Sequence, residues 1–220
     1  MIRLAEAGAD RDAGRVLRLF RAPWSTNVER VALGLAHKGL GVESVLITYS
    51  DRSAVRAVSG QGLVPVIDDD GQVVVDSHAI LRHLEERHPD PPLFPADPAR
   101  RADLDVFMEW FDRVWKGPPN EIEAELGAAL PDEARIAGLS AVMEERLDLF
   151  ERMLDGRDHL MGDEFSAADC VAFPFIKYAR RREPGDEELF HRVLDEHQSV
   201  EARPRLAAWI ERVDARPRSY

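Results

Sequence analysis

Residues 60–80 constrain the fold more than any other part of the chain. Val64, Pro65, Val66 and Ile67 make a short β-prone run broken by a proline. Proline lacks the N–H that a central strand must donate, so the run belongs at an edge or a bend. Asp70-Gly71 is a strong two-residue hairpin signal, and Gln72-Val73-Val74-Val75 supplies the returning strand. Asp76-Ser77 then stands where a helix N-cap belongs, ahead of the apolar positions Ala79, Ile80 and Leu84. Only an X-Pro bond makes cis cheap, and Val64-Pro65 is a candidate for it. A cis bond would turn the Val64 backbone outward, leaving its N–H and C=O to an extended peptide ligand. An ordinary hairpin with trans proline fits the same residues.

The segments upstream extend this pattern. Residues 15–21 alternate charged and apolar side chains, as a half-buried strand does. Thr26 and Glu29 have capping-box spacing, and Val28, Val31, Ala32, Leu35 and Ala36 follow with helical period. Lys38-Gly39 closes that helix. Residues 42–48 read as a second strand and 51–58 as a short helix. Downstream, the helix from Ser77 runs to about Arg87, and the proline-rich residues 88–95 cannot continue it. Everything beyond has helical pattern. Helices are expected over 98–116, ending at Gly117-Pro118-Pro119, over 132–155, after a Ser166–Asp169 capping box, and over 204–213. The chain thus reads as a flexible extension (1–14), an α/β domain of order βαβαββα (15–88), a linker (89–96) and an all-helical domain (97–220).

The chain has 220 residues and a formal net charge of −12. That balance argues against nucleic acid, whose phosphates need a basic face, and against anionic membrane surfaces. No apolar run approaches the ~20 residues of a membrane span. Residues 1–14 lack the apolar centre of a signal peptide. Cys170 is the only cysteine, which excludes an internal disulfide and a thiolate metal cluster and points to a reducing, cytoplasmic setting. The histidines show no metal-ligand spacing, so no metal is expected, and Glu85-Glu86 reads as a solvated face. Arginine far outnumbers lysine, a bias typical of a GC-rich coding sequence.

Four motifs in order around the linker carry a family resemblance. Val64-Pro65, Asp76-Ser77-His78-Ala79-Ile80, Ser166 with Asp169, and the Pro204–Trp209 region resemble elements of the cytosolic glutathione transferases. Ser25-Thr26-Asn27-Val28-Glu29-Arg30-Val31 is most similar to the phi and theta arrangement, in which a serine opens the first helix. The resemblance implies a thioredoxin-like α/β domain joined to an all-α domain, a bacterial enzyme of the serine type, and a homodimer. Two departures stand out. Leu63 replaces the Gln or Lys that many members carry before Val-Pro, and the segment over residues 50–59 is short.

The implied chemistry is ionisation of the glutathione thiol for attack on a small hydrophobic electrophile, as in detoxification. A thiol has a reference pKa near 8.5, and lowering it by about two units takes roughly 2.7 kcal/mol of differential stabilisation. Ser25 can supply part by donating its O–H to the sulfur anion, helped by the positive helix end. It can also be merely a cap or turn residue, and Thr26 is the alternative donor. Asp76 and Ser77 cap a helix whose free N–H groups suit the γ-glutamyl carboxylate, with Asp76 on the ammonium. Leu63, Val64 and Pro65 form the peptide-binding edge, and Arg52 or Arg56 would meet the glycyl carboxylate. Trp24 and Phe111, among several aromatics, are candidates for the electrophile site; each serves equally well in a core. The same thiolate could support a peroxidase, a dehalogenase or an isomerase, and a non-enzymatic binding or interaction protein of the same fold is the competing class.

Overall fold

The computed structural model describes residues 16–48 and 50–220. The expected flexible extension lies outside the described residues. The first domain runs β1 (Leu17–Arg21), α1 (Thr26–His37), β2 (Glu43–Leu46), α2 (Ser53–Ser59), β3 (Val66–Asp69), β4 (Gln72–Val75) and α3 (Ser77–Arg87). Its sheet has the order β2-β1-β3-β4, with β1 parallel to β2 and antiparallel to β3. The β3–β4 hairpin turns at Asp70 and Gly71, both with positive φ, as a type I′ loop demands.

Alternation along β1 feeds two small cores. Leu17 and Leu19 face Val28, Val31 and Leu35 of α1 and Ile80 and Leu84 of α3, while Phe20 faces Val55 of α2 and Ile47. Between α1 and α3 the packing is close enough that a Cβ on Gly34 would lie 2.5 Å from a Leu81 methyl. Any side chain there would force the buried Leu81 methyl to move.

The helical domain comprises α4 (Pro98–Trp110), a π-helical segment (Phe111–Trp115), α5 (Gly117–Leu126), α6 (Glu133–Met153), α7 (Ala167–Ile176), a 3-10 turn (Lys177–Ala179), α8 (Leu189–Glu196) and α9 (Pro204–Asp214). All ten residues of α7 are buried, and its Ser166–Asp169 capping box is formed. α7 packs along α1, which joins the two domains.

Several local expectations are corrected. Thr26 does not cap α1. Ser25 is the N-cap, its Oγ accepting from Val28 N at 3.3 Å, and Thr26 is buried in the first turn. Gly117-Pro118-Pro119 opens α5 instead of ending in a loop, because proline fits the first turn of a helix, where no N–H is needed. The α8 helix went unassigned in the sequence because its eight residues carry no cap signal. Glu85 is not on a solvated face: it is buried, paired with Lys38 Nζ at 2.5 Å and accepting from Leu93 N at 2.9 Å. The proline-rich connection is therefore anchored through Leu93 to α3.

Candidate active site

The first turn of α1 separates two cavities. Ser25, Val28 and Glu29 share one helix face and line a cavity of about 480 Å³. Asn27, on the opposite face, lines a second of about 350 Å³.

The smaller cavity is built from the stretch that constrains the fold. Its walls include Leu63, Val64, Pro65, Asp76 and Ser77, with Asp112 and Lys116 reaching in from the helical domain. The Val64-Pro65 bond is cis. Among the described residues the Val64 N–H and C=O make no hydrogen bond, so this half-buried backbone edge is open to a ligand. Asp76 is the α3 N-cap, with Oδ1 accepting from His78 N and Ala79 N, both at 3.0 Å. Its other carboxylate oxygen has no partner among the described residues. Asp76 has a φ of 74° and a ψ of 128°, a strained backbone outside the αL region that the surrounding structure must hold.

Ser77 is held from behind. Arg30 is fully buried and contacts Ser77 Oγ and His78 Nε2, both at 3.3 Å, Val171 O at 3.0 Å and Asp112 Oδ1 at 2.8 Å. Because Ser77 Oγ accepts from Arg30, its own O–H remains to donate. Burial pulls the Arg30 guanidinium below its ordinary value, against the pull of Asp112. Burial and the Arg30 charge hold His78 neutral, with its pKa lowered to about 4. Burial would raise the Asp112 carboxyl, but Arg30 and Lys116 outweigh it and the net shift is downward. Nothing in the local pattern marks Arg30, Asp112 and Lys116 as meeting here, since they come from elements far apart in the chain. The nearest available clue was the charged residue inside the otherwise apolar face of α1.

The larger cavity takes Trp24 and Ser25 from the β1–α1 loop, Tyr178 from the 3-10 turn after α7 and Tyr220 from the C-terminal residues. Trp24 is 43% exposed, with a φ of 60° that is unusual for a bulky side chain. Such backbone strain concentrates at functional sites. Ser25 accepts at Oγ as the cap and keeps its hydroxyl hydrogen to donate.

The remaining predicted site residues fall elsewhere. Phe111 lines neither cavity: it is fully buried, stacked on Trp115 at 4.5 Å and edge-on to Phe150 and Phe175. Its aromatic face fills the helical core, and it is removed from the electrophile site. Arg52 donates to Gly62 O at 2.6 Å, and Arg56 packs beside Gly62, so both brace the turn before Leu63. Cys170 is fully buried, and burial pushes its thiol pKa up, which makes it inert.

A sheet of order β2-β1-β3-β4 with a cis proline ahead of β3, docked through α1 onto an all-helical domain, defines the fold of the glutathione transferases. Comparison with known proteins agrees. The family models for the glutathione S-transferase N-terminal and C-terminal domains match residues 19–92 and 133–212. Glutathione S-transferase 3 of Zea mays is 30% identical over 91% of this chain and 90% of its own length. FtsZ-localized protein A of Caulobacter vibrioides is 28% identical over 70% of this chain and 73% of its own. A crystal structure of a glutathione S-transferase from Rhodospirillum rubrum superposes with a TM-score of 0.71 at 26% identity, covering 92% of this chain and 89% of that one. The chain belongs to the glutathione S-transferase family.

Among the described residues no helix is long and apolar enough to cross a membrane, and no cluster of His, Cys, Asp or Glu could hold a metal ion.

Proposed function

We propose that this protein is a serine-type glutathione transferase. The unpaired Val64 backbone edge beside Asp76 and Ser77 carries the reading. An extended tripeptide pairs there by main-chain hydrogen bonds, the way a strand adds to a sheet edge. Its γ-glutamyl carboxylate meets the Ser77 hydroxyl and the α3 N-terminus, and its ammonium meets the unpartnered oxygen of Asp76. Leu63 contacts the glycyl end through apolar surface. Arg52, already on the Gly62 carbonyl, supports that end by holding the turn.

From this edge the sulfur points across the first turn of α1 to Ser25. The serine hydroxyl donates to the thiolate, the helix end adds its partial positive charge, and the electrophile enters from the cavity lined by Trp24. The thiolate attacks the electrophilic carbon, a C–S bond forms, and the leaving group departs with its electron pair. Ser25→Ala should lower the conjugation rate by tenfold or more with glutathione binding little changed. Unchanged turnover would remove Ser25 from the mechanism. We further propose a cytoplasmic homodimer, as the resemblance implies.

A binding protein that keeps the fold without thiol chemistry is the second reading. It is favoured by Ser25 and Asp76 lining different cavities and by the likeness to an FtsZ-localized protein. Calorimetric titration with glutathione separates the two. Sub-millimolar binding supports the transferase, and absence of binding supports the binding protein.

A further inference from the structure

The cavity beside Ser25 is not the apolar slot that a hydrophobic electrophile needs. Three carboxylates line it, and each is shared between two cations. Glu29 pairs with Lys177 at 2.7 Å and Arg218 at 3.0 Å. Glu183 pairs with Arg181 at 3.2 Å and Lys177 at 3.6 Å. Asp214 pairs with Arg181 at 3.2 Å and Arg218 at 3.4 Å. Three cations and three carboxylates therefore neutralise one another around the wall.

Arg21 is the lining cation with no side-chain carboxylate partner among the described residues. It lines the same cavity from the end of β1, four residues before Ser25. Its Nε donates to Ser44 Oγ at 2.6 Å, and its guanidinium lies 5.1 Å from the centre of the Tyr220 ring. Among the described residues no carboxylate pairs with it, and its two terminal nitrogens donate to none of them. A guanidinium that lines a cavity, with its Nε fixed and its terminal nitrogens unpaired among the described residues, suits a two-pronged hold on a carboxylate. In a chain of net charge −12, a cation with no side-chain counter-charge sets a local preference that the surface as a whole opposes. Trp24 and Tyr220, both partly exposed, line the same cavity and offer aromatic surface to a flat ring.

We propose that the second substrate is a small, flat electrophile bearing a carboxylate, held by Arg21 with its reactive carbon towards Ser25. The inference rests on the transferase reading for its reaction, though not for its binding site. It differs from the expectation of a purely hydrophobic electrophile, and the probes below decide between the two.

The test uses the full chain with 4-(chloromethyl)benzoate and its neutral counterpart 4-(chloromethyl)benzamide. In both, the glutathione thiolate forms a C–S bond at the benzylic carbon and chloride leaves with the bonding pair. Each rate is divided by its own uncatalysed rate. The expected kcat/KM favours the carboxylate by about tenfold or more, the scale of a charge-assisted hydrogen-bonded pair, with the difference mostly in KM. Arg21→Gln should collapse that ratio towards one, and Arg21→Lys should restore part of it. Equal efficiency for the two probes, or a ratio unchanged in Arg21→Gln, overturns the inference while leaving the transferase reading intact.

Binding of unreactive 4-methylbenzoate, followed by tryptophan fluorescence, separates the two claims. If neither probe is turned over but 4-methylbenzoate binds and loses affinity in Arg21→Gln, the transferase reading fails and the anion site stands. If 4-methylbenzoate does not bind, or binds Arg21→Gln equally well, the anion site fails. Thermal melting of both variants confirms that each is folded.

Discussion

Asp76 caps α3 with one oxygen, and the proposed ligand contact falls to the other. Oδ1 satisfies two backbone N–H groups of α3, and the other oxygen is left for a ligand. These tasks separate by substitution. Asp76→Asn keeps an acceptor for the cap and removes the charge. It should leave the urea midpoint nearly unchanged while weakening glutathione binding about tenfold or more, read by calorimetry. Asp76→Ala removes the cap as well and should also cost about 1 kcal/mol of stability. Equal affinity in wild type and Asp76→Asn would take Asp76 out of the site. Ser25 has the same double character, as the cap of α1 and as the proposed donor. For that reason a stability measurement on Ser25→Ala must accompany its kinetics.

At the scale of elements, helix starts decide both stability and its pH dependence. Asp169, fully buried at the head of α7, accepts from Ser166 N at 2.9 Å, Leu160 N at 3.1 Å and Trp209 Nε1 at 2.8 Å. Asp169→Ala would strand these donors without water and should cost at least about 3 kcal/mol in urea unfolding. Ser166→Ala, which loses one cap hydroxyl, should cost about 1 kcal/mol. At the head of α3, burial beside Arg30 lowers the His78 pKa from 6.5 to about 4. Between these values the unfolded chain binds the proton more strongly than the folded one. Stability is therefore lost as pH falls through that window, with His78 contributing up to about 3 kcal/mol. Burial lowers His37 and His191 too, and they act with the same sign. His78→Gln should flatten the dependence of unfolding free energy on pH over this window without abolishing it. An unchanged slope would show that His78 is not held neutral.

For the whole molecule, the two domains are held as one unit by buried polar contacts as much as by apolar ones. Arg30 reaches from α1 to α3, α7 and the π-helical segment. Truncating one partner of a buried pair leaves the other uncompensated, so Arg30→Ala should destabilise by about 3–5 kcal/mol. The loss should appear in both domains together, as one cooperative transition by near- and far-UV circular dichroism. The exposed Val106 (68%) and Val114 (41%) leave apolar surface on α4 and the π-helical segment. We expect a homodimer, with a sedimenting mass twice the 24.8 kDa of the chain. Val106→Glu should shift it towards monomer, and a wild-type species of single-chain mass would refute the dimer.

The local pattern by itself determined the order of elements in the α/β domain, the β3–β4 hairpin, the caps at Asp76 and Ser166 and the helical character of everything past the linker. These rest on interactions within a few residues, which leave a signature in spacing and residue type. It favoured Thr26 over Ser25 as the α1 cap, on the capping-box spacing to Glu29, whereas Ser25 is the cap, because the answer depends on how the β1–α1 loop leaves the sheet. Nor could it tell Phe111 in the core from Trp24 at a cavity wall, since aromatic character says nothing of which side of a helix the neighbouring domain covers. Tertiary structure alone brought Arg30 to Ser77 and Asp112, buried Glu85 against Lys38, and ringed the Ser25 cavity with charge. Each of those contacts joins residues far apart in the chain, so only the packing of α1 against α3 and α7 could decide which charges would be paired and that Arg21 would have no side-chain carboxylate partner among the described residues.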